Sequence, residues 1–97
     1  MQYEFHAEAR VEFLEVVSRY ENEVPGLGAR FIAEIERCIE LLLDSPLIGK
    51  PYGGELRCFP LNDAFPFSLV YAAKGELLFI VAVAHQSRRP RYWKSRV

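Results

Sequence analysis

The last thirteen residues, His85-Gln-Ser-Arg-Arg-Pro-Arg-Tyr-Trp-Lys-Ser-Arg-Val97, hold the groups best suited to chemistry. Arg88, Arg89, Arg91, Lys94 and Arg96 supply five of the chain's twelve basic side chains, with no Asp or Glu among them. Tyr92 and Trp93 stand between the cations. His85 has an ordinary pKa of about 6.5 and can give or take a proton near neutrality. An arginine presents a planar fork that holds two oxygens of a phosphate or carboxylate at once. Arg57 is a further cation in unusual company, set in the apolar stretch Leu56-Arg57-Cys58-Phe59-Pro60-Leu61. Residues 1–84 carry seven basic and thirteen acidic side chains, a net of −6, so the total of −1 is a cancellation of two opposed regions. A cationic, aromatic-studded terminus on an acidic body is built to meet an anion. That anion is a nucleic acid, an acidic protein segment, or the chain's own acidic helices.

The elements that position these groups follow from periodicity. Gln2 to Phe5 alternates, with Tyr3 and Phe5 on one side, which predicts a short strand. From Ala7 the period lengthens. Ala9, Phe13, Val16, Val17 and Tyr20 mark one face of a helix, and Glu8, Glu12, Glu15 and Arg19 the opposite one. Pro25-Gly26 ends that helix near Asn22 to Val24. A second helix starts at Gly28. Leu27, Phe31, Ile35, Cys38, Ile39 and Leu42 form its inner face, with Glu34, Arg37, Glu40 and Asp44 looking outward. Ile32, Leu41 and Leu43 widen its apolar stripe, and Ser45-Pro46 stops it. Two amphipathic helices on a short link form an antiparallel hairpin.

The second half has strand character. Leu56–Leu61 is one candidate, placed at an edge or bulge by its proline. Phe67–Ala73 is another, and Lys74-Gly75-Glu76 a turn. Leu77–Ala84 reads as a strand covered on both faces, the centre of the sheet. Short links between the last three strands favour an antiparallel meander. The predicted fold class is α+β, in the order β-α-α-β-β-β, with the helical hairpin on one face of a small, mainly antiparallel sheet.

With 97 residues the chain is expected to form a single domain, residues 1–97. Its 51% hydrophobic and 26% charged content is that of a globular protein. The longest uncharged apolar run, Leu77–Ala84, is far below the roughly 20 residues of a membrane-spanning helix. No export signal opens the chain, so the expected location is the cytoplasm. Cys38 and Cys58 read as reduced core thiols. Two Cys and two distant His give no metal-ligand spacing, and no Gly-rich phosphate loop or nucleophile elbow is present, so neither metal nor cofactor is expected.

An ordered set of residues resembles a known family. It runs from Pro25-Gly26-Leu27-Gly28 before Phe31 through Pro46 and Gly49–Pro51 to Arg57. It continues with Phe65-Pro66-Phe67 leading to Tyr71, then Ala82-Val-Ala-His85 with Arg88-Arg89-Pro90, Tyr92-Trp93 and Arg96. Together these are similar to the RelE/ParE superfamily, the toxin halves of bacterial type II toxin–antitoxin modules, often called plasmid-stabilisation proteins. The resemblance implies a toxin held inactive by a cognate antitoxin. RelE-like members cut messenger RNA on the ribosome, whereas ParE-like members inhibit DNA gyrase. RelE-like chains are rich in lysine. This one has only Lys50, Lys74 and Lys94 and a pI near 6.1, which places it nearer the ParE-like branch.

Cutting RNA through its 2′-hydroxyl needs a base, an acid and cations on the phosphorane. The resemblance places Arg57, His85, Arg88 and Tyr92 in those roles, with Arg89 among the basic groups. If their strands pair, Arg57 and His85 share one open cleft. Each residue also has a structural reading. His85 can hold the end of its strand, and Arg57 can pair with Asp63 or a helix carboxylate. Arg88 and Arg89 can be a solvated terminus, Tyr92 can cap the core, and Trp93 reads first as a packing anchor. His6 falls at a strand-to-helix junction. For a protein-binding toxin, the expected target or antitoxin contacts are Arg57, Arg88, Arg89, Arg91, Tyr92, Trp93 and Arg96. Three functions follow: a gyrase inhibitor that contacts its target through the acidic face of the helical hairpin, its Pro25–Gly28 tip and the basic tail, a ribosome-dependent endoribonuclease, or an antitoxin-binding domain without toxicity. All three expect an antitoxin of mixed apolar and acidic character, lying in grooves beside the helices.

Overall fold

The computed structural model describes all 97 residues. The elements are β1 (Gln2–Phe5), α1 (Ala7–Glu23), α2 (Leu27–Asp44), β2 (Lys50–Pro51), β3 (Leu56–Pro60), β4 (Phe67–Lys74) and β5 (Leu77–His85). A 3-10 turn, Lys94–Arg96, closes the chain. The strands form one sheet in the order β1-β5-β4-β3-β2. β1 runs parallel to β5 and the remaining pairs are antiparallel. This is the expected α+β arrangement with one added element. The two-residue β2, which pairs Lys50 with Cys58 and Pro51 with Arg57, is too short to leave a periodic signal. The middle strand is β4 and not β5, because the added β2 extends the sheet beyond β3, while β1 pairs on the far side of β5.

The helices begin and end for local reasons. The His6 ring caps α1, its Nδ1 accepting the Glu8 N–H at 3.0 Å. Gly26, at φ 89°, supplies the left-handed turn before α2 and offers no capping side chain. Glu21, near the end of α1, does that work across the turn. Its carboxylate accepts the Gly26 and Gly28 N–H groups at 2.9 and 3.0 Å, where it also complements the positive end of the α2 dipole. A Cβ on Gly28 would lie 2.8 Å from the Val17 carbonyl oxygen, so the hairpin closes tightly only on glycine.

The main core lies between the hairpin and one sheet face. Phe31, Ile35, Cys38 and Leu42 of α2 meet Leu69, Tyr71, Leu78 and Ile80. Two side chains expected to face water do not. Glu34 is only 5% exposed. It binds Arg37 twice at 2.7 Å and accepts the Asn62 N–H at 2.8 Å. The link from β3 to β4 passes over that flank of α2, so the flank is an interior surface. Arg37 opposes the effect of burial, and the Glu34 carboxyl lies below its ordinary range. Glu12 is the second exception and belongs to the site.

β5 carries an irregularity that sets which side chains face the tail. Val70 pairs with Ala82 and Tyr71 with Ile80, so Val81 is an extra residue. Ile80 and Val83 therefore both join the main core, while Val81 and Ala82 both face the opposite side. On that opposite face the C-terminal tail folds back, and Trp93, 3% exposed, packs on Val70, Val81 and Ala82. No helix is long and apolar enough to cross a membrane.

Candidate functional site

β1 ends at Phe5, opposite Ile80, so β5 beyond that point lacks a strand on one side. Side chains fill the gap. Glu12 accepts the Val83 N–H at 3.0 Å, and Arg96 donates to the Val81 carbonyl at 3.1 Å. Arg96 also donates to both oxygens of Glu12 at 2.9 Å, and the Tyr92 hydroxyl donates to Glu12 at 2.7 Å. Glu8 adds a longer contact to Arg96 at 3.6 Å. This node ties the tail to α1 and to the free edge of β5. Burial alone would raise the Glu12 pKa. The bonds from Arg96, Tyr92 and Val83 outweigh it and hold the carboxyl below the usual range. Burial and the bond to Glu12 push the Tyr92 phenol up, so it stays protonated at neutrality.

The node shapes a cleft of about 220 Å³ between the tail and the sheet, with Cys58, Ser68, Val70 and Ala84 as its floor. The Arg88 guanidinium lies 3.9 Å from the centroid of the Tyr92 ring. Arg89 and Arg91 complete the cationic mouth, and Tyr52 meets Trp93 at 5.5 Å between ring centroids. Arg88, Arg89 and Arg91 are exposed and form no ion pair within the chain. Burial pushes the Cys58 thiol up, against a smaller pull from Ser68, so the floor is uncharged at neutrality.

The structure thus gathers Arg88, Arg89, Arg91, Tyr92 and Trp93 around one cleft, with His85 on its border. Arg96 is placed elsewhere. Its side chain is 9% exposed and committed to Glu12, so it builds the site rather than facing a partner. The His85 ring packs edge-on against Phe67 at 5.0 Å between centroids, on the helix side of the sheet. Its Nδ1 accepts the Ser87 N–H at 3.0 Å. Arg57 does not join it, nor does it pair with Asp63 or a helix carboxylate. Its guanidinium donates to the Leu47 and Gly49 carbonyls at 3.1 and 2.8 Å. Arg57 pairs with Tyr71 and His85 with Phe67, with β4 between their strands. By sheet dimensions the two lie roughly 17 Å apart. Tyr71, fully buried, completes the anchoring of that loop. Its hydroxyl donates to the Pro46 carbonyl at 2.7 Å and accepts the Gly49 N–H at 3.0 Å. No set of three or more His, Cys, Asp or Glu side chains is grouped to hold a metal ion.

Glu12 is the site residue that sequence reasoning missed. Its spacing puts it among the carboxylates of a solvent face, and its partners lie 71 to 84 residues away.

Comparison with known proteins now places the chain. The family described as ParE toxin of type II toxin-antitoxin system, parDE, matches residues 3–90. The chain belongs to the ParE toxin family. It is accordingly a type II toxin of the RelE/ParE superfamily. Among solved structures it is similar to a chain of the chromosomal ParDE TA system from P. aeruginosa, with a TM-score of 0.73 and 18% identity. That match covers 88% of this chain and 95% of the other, and it shows a shared fold. No curated protein matches the chain.

Proposed function

We propose that this ParE toxin arrests growth by holding a protein, with DNA gyrase as the target, through the cationic rim of its tail. A cognate antitoxin neutralises it by covering that rim with acidic groups. Apolar groups of the antitoxin pack beside the helices, where Val11 and Leu14 of α1 stand about half exposed. The compartment is the cytoplasm, consistent with two free cysteines, and the biological setting is plasmid stabilisation.

The observation that carries this reading is the state of the arginines. Arg88, Arg89 and Arg91 stand exposed without acidic partners on a chain whose remainder is strongly negative. Unpaired surface charge of one sign steers and selects a partner of the other. The groups that RNA cleavage would need on one phosphate are apart or occupied. Arg57 pins a loop, the Tyr92 proton is held by Glu12, and His85 lies on the helix side. Ribosome-dependent cleavage by these residues is therefore the weaker reading.

The test is plasmid supercoiling by purified gyrase. Activity should fall as toxin is added and return when the antitoxin from the neighbouring reading frame is supplied. Normal supercoiling at saturating toxin would contradict the proposal, most clearly if ribosome-bound messenger were cut by the same preparation.

A further inference from the structure

We infer that the cleft beneath the tail seats one carboxylate side chain, Asp or Glu, from an extended acidic segment of a partner protein. This rests on the protein-binding reading above and resolves it to a single pocket.

At about 220 Å³ the cleft is smaller than the roughly 300 Å³ at which small-molecule sites begin and has room for one carboxylate side chain. No Asp or Glu lines the cleft, its floor is uncharged, and its mouth carries Arg88, Arg89 and Arg91. Two guanidinium forks at an opening suit the two oxygens of a carboxylate.

Two of the arginines are held in place by their surroundings. Arg88 lies on the Tyr92 ring, and the Tyr92 hydroxyl is fixed by Glu12. Arg91 has a φ of 62°, a strained conformation for a side-chain-bearing residue. That backbone carries its guanidinium over Gly53, where Nη2 lies 3.1 Å from the place a Cβ would occupy. A residue other than glycine at position 53 would crowd it.

Polynucleotide binding needs a track of phosphate contacts. Here the unpaired cations beside the cleft are confined to the tail, and residues 1–84 carry a net −6 that repels a polyanion. A short acidic segment meets the arginines without running along the acidic helices. Beyond Trp93 the same sheet face opens a wider groove of about 600 Å³ over Leu56, Ala72, Leu77 and Phe79. It gives an apolar neighbour on the same segment a place to rest.

The test uses the full chain and a labelled alternating Glu-Leu octapeptide, followed by fluorescence anisotropy. The Glu-Leu peptide should bind and weaken with salt. A Gln-Leu peptide should bind about tenfold more weakly, and so should the Glu-Leu peptide to Arg88→Ala or Arg91→Gly. Arg91→Gly keeps the left-handed backbone, so a loss there reports the guanidinium and not the fold. Arg30→Ala, exposed on α2 away from both the cleft and the groove, should change nothing. Equal binding of both peptides, or unchanged binding to both arginine variants, would overturn the inference. Tighter binding of an oligothymidylate of matched length would assign the cleft to nucleic acid instead. Toxin that inhibits gyrase yet ignores the peptide breaks this inference alone. Toxin that binds the peptide yet leaves gyrase untouched breaks the proposed target and keeps the pocket.

Discussion

Four hydrogen bonds end on the carboxylate of Glu12, from Val83, Tyr92 and both terminal nitrogens of Arg96. Replacing it with Ala strands a nearly buried guanidinium. Glu12→Ala should cost about 3 kcal/mol, or roughly 15 °C in Tm for a chain of this size. Glu12 and Glu34 both hold their protons more weakly folded than their ordinary value of 4.5. The unfolded chain therefore takes up more protons as the pH falls below that value. The stability these groups contribute is complete above it and is lost as the pH drops through their folded pKa values. Urea midpoints measured from pH 7 to pH 3 should fall on the acid side, and less steeply for Glu12→Gln. Arg57→Ala makes the opposite functional statement. It frees the loop at Leu47–Gly49 and should cost about 1–2 kcal/mol, seen as faster protease cleavage there, with growth arrest retained. The sequence marks Arg57, Arg88 and Arg89 as unusual by type and company. It carries no sign of which carbonyl or carboxylate each one meets, because those partners are set by folding across distant segments.

Among the elements, both helices and four of the five strands were legible, since amphipathic periods of 3.6, the alternation at Gln2–Phe5 and apolar strand runs dominate there. What stayed hidden depends on pairing. β2 has only two residues, one of them proline. The extra residue at Val81 sits within an unbroken apolar run, so no change of residue type marks it. Strict alternation along β5 would place His85 on the face of Val81, and the irregularity sends its ring to the helix side instead. The missing cap of α2 was likewise invisible, because Glu21 supplies it from the preceding helix. Two substitutions test these joints. Glu21→Ala removes two capping bonds and should cost about 1 kcal/mol. Gly49→Ala drives a Cβ into the Tyr71 ring, whose hydroxyl anchors the same loop, and should cost about 2 kcal/mol or more. Thermal melts followed by circular dichroism check both.

On the scale of the molecule, the separation of an acidic body from a basic tail was readable at once, and it survives folding with one change. Arg96, at the end of the tail, returns to the acidic body and fastens the tail to it. Arg88, Arg89 and Arg91 remain outward, on a segment clamped at Trp93 and Tyr92. The tail is thus held at its end and presents its cations in the middle, which residue order alone does not disclose. The most direct test of this account is growth arrest on induction of the triple variant Arg88→Ala/Arg89→Ala/Arg91→Ala, set beside soluble yield and Tm. These side chains are exposed and unpaired, so Tm should stay within a few degrees of wild type while arrest is lost. A folded triple variant that still stops growth as wild type does would contradict the claim that the arginine rim is the working surface of this toxin.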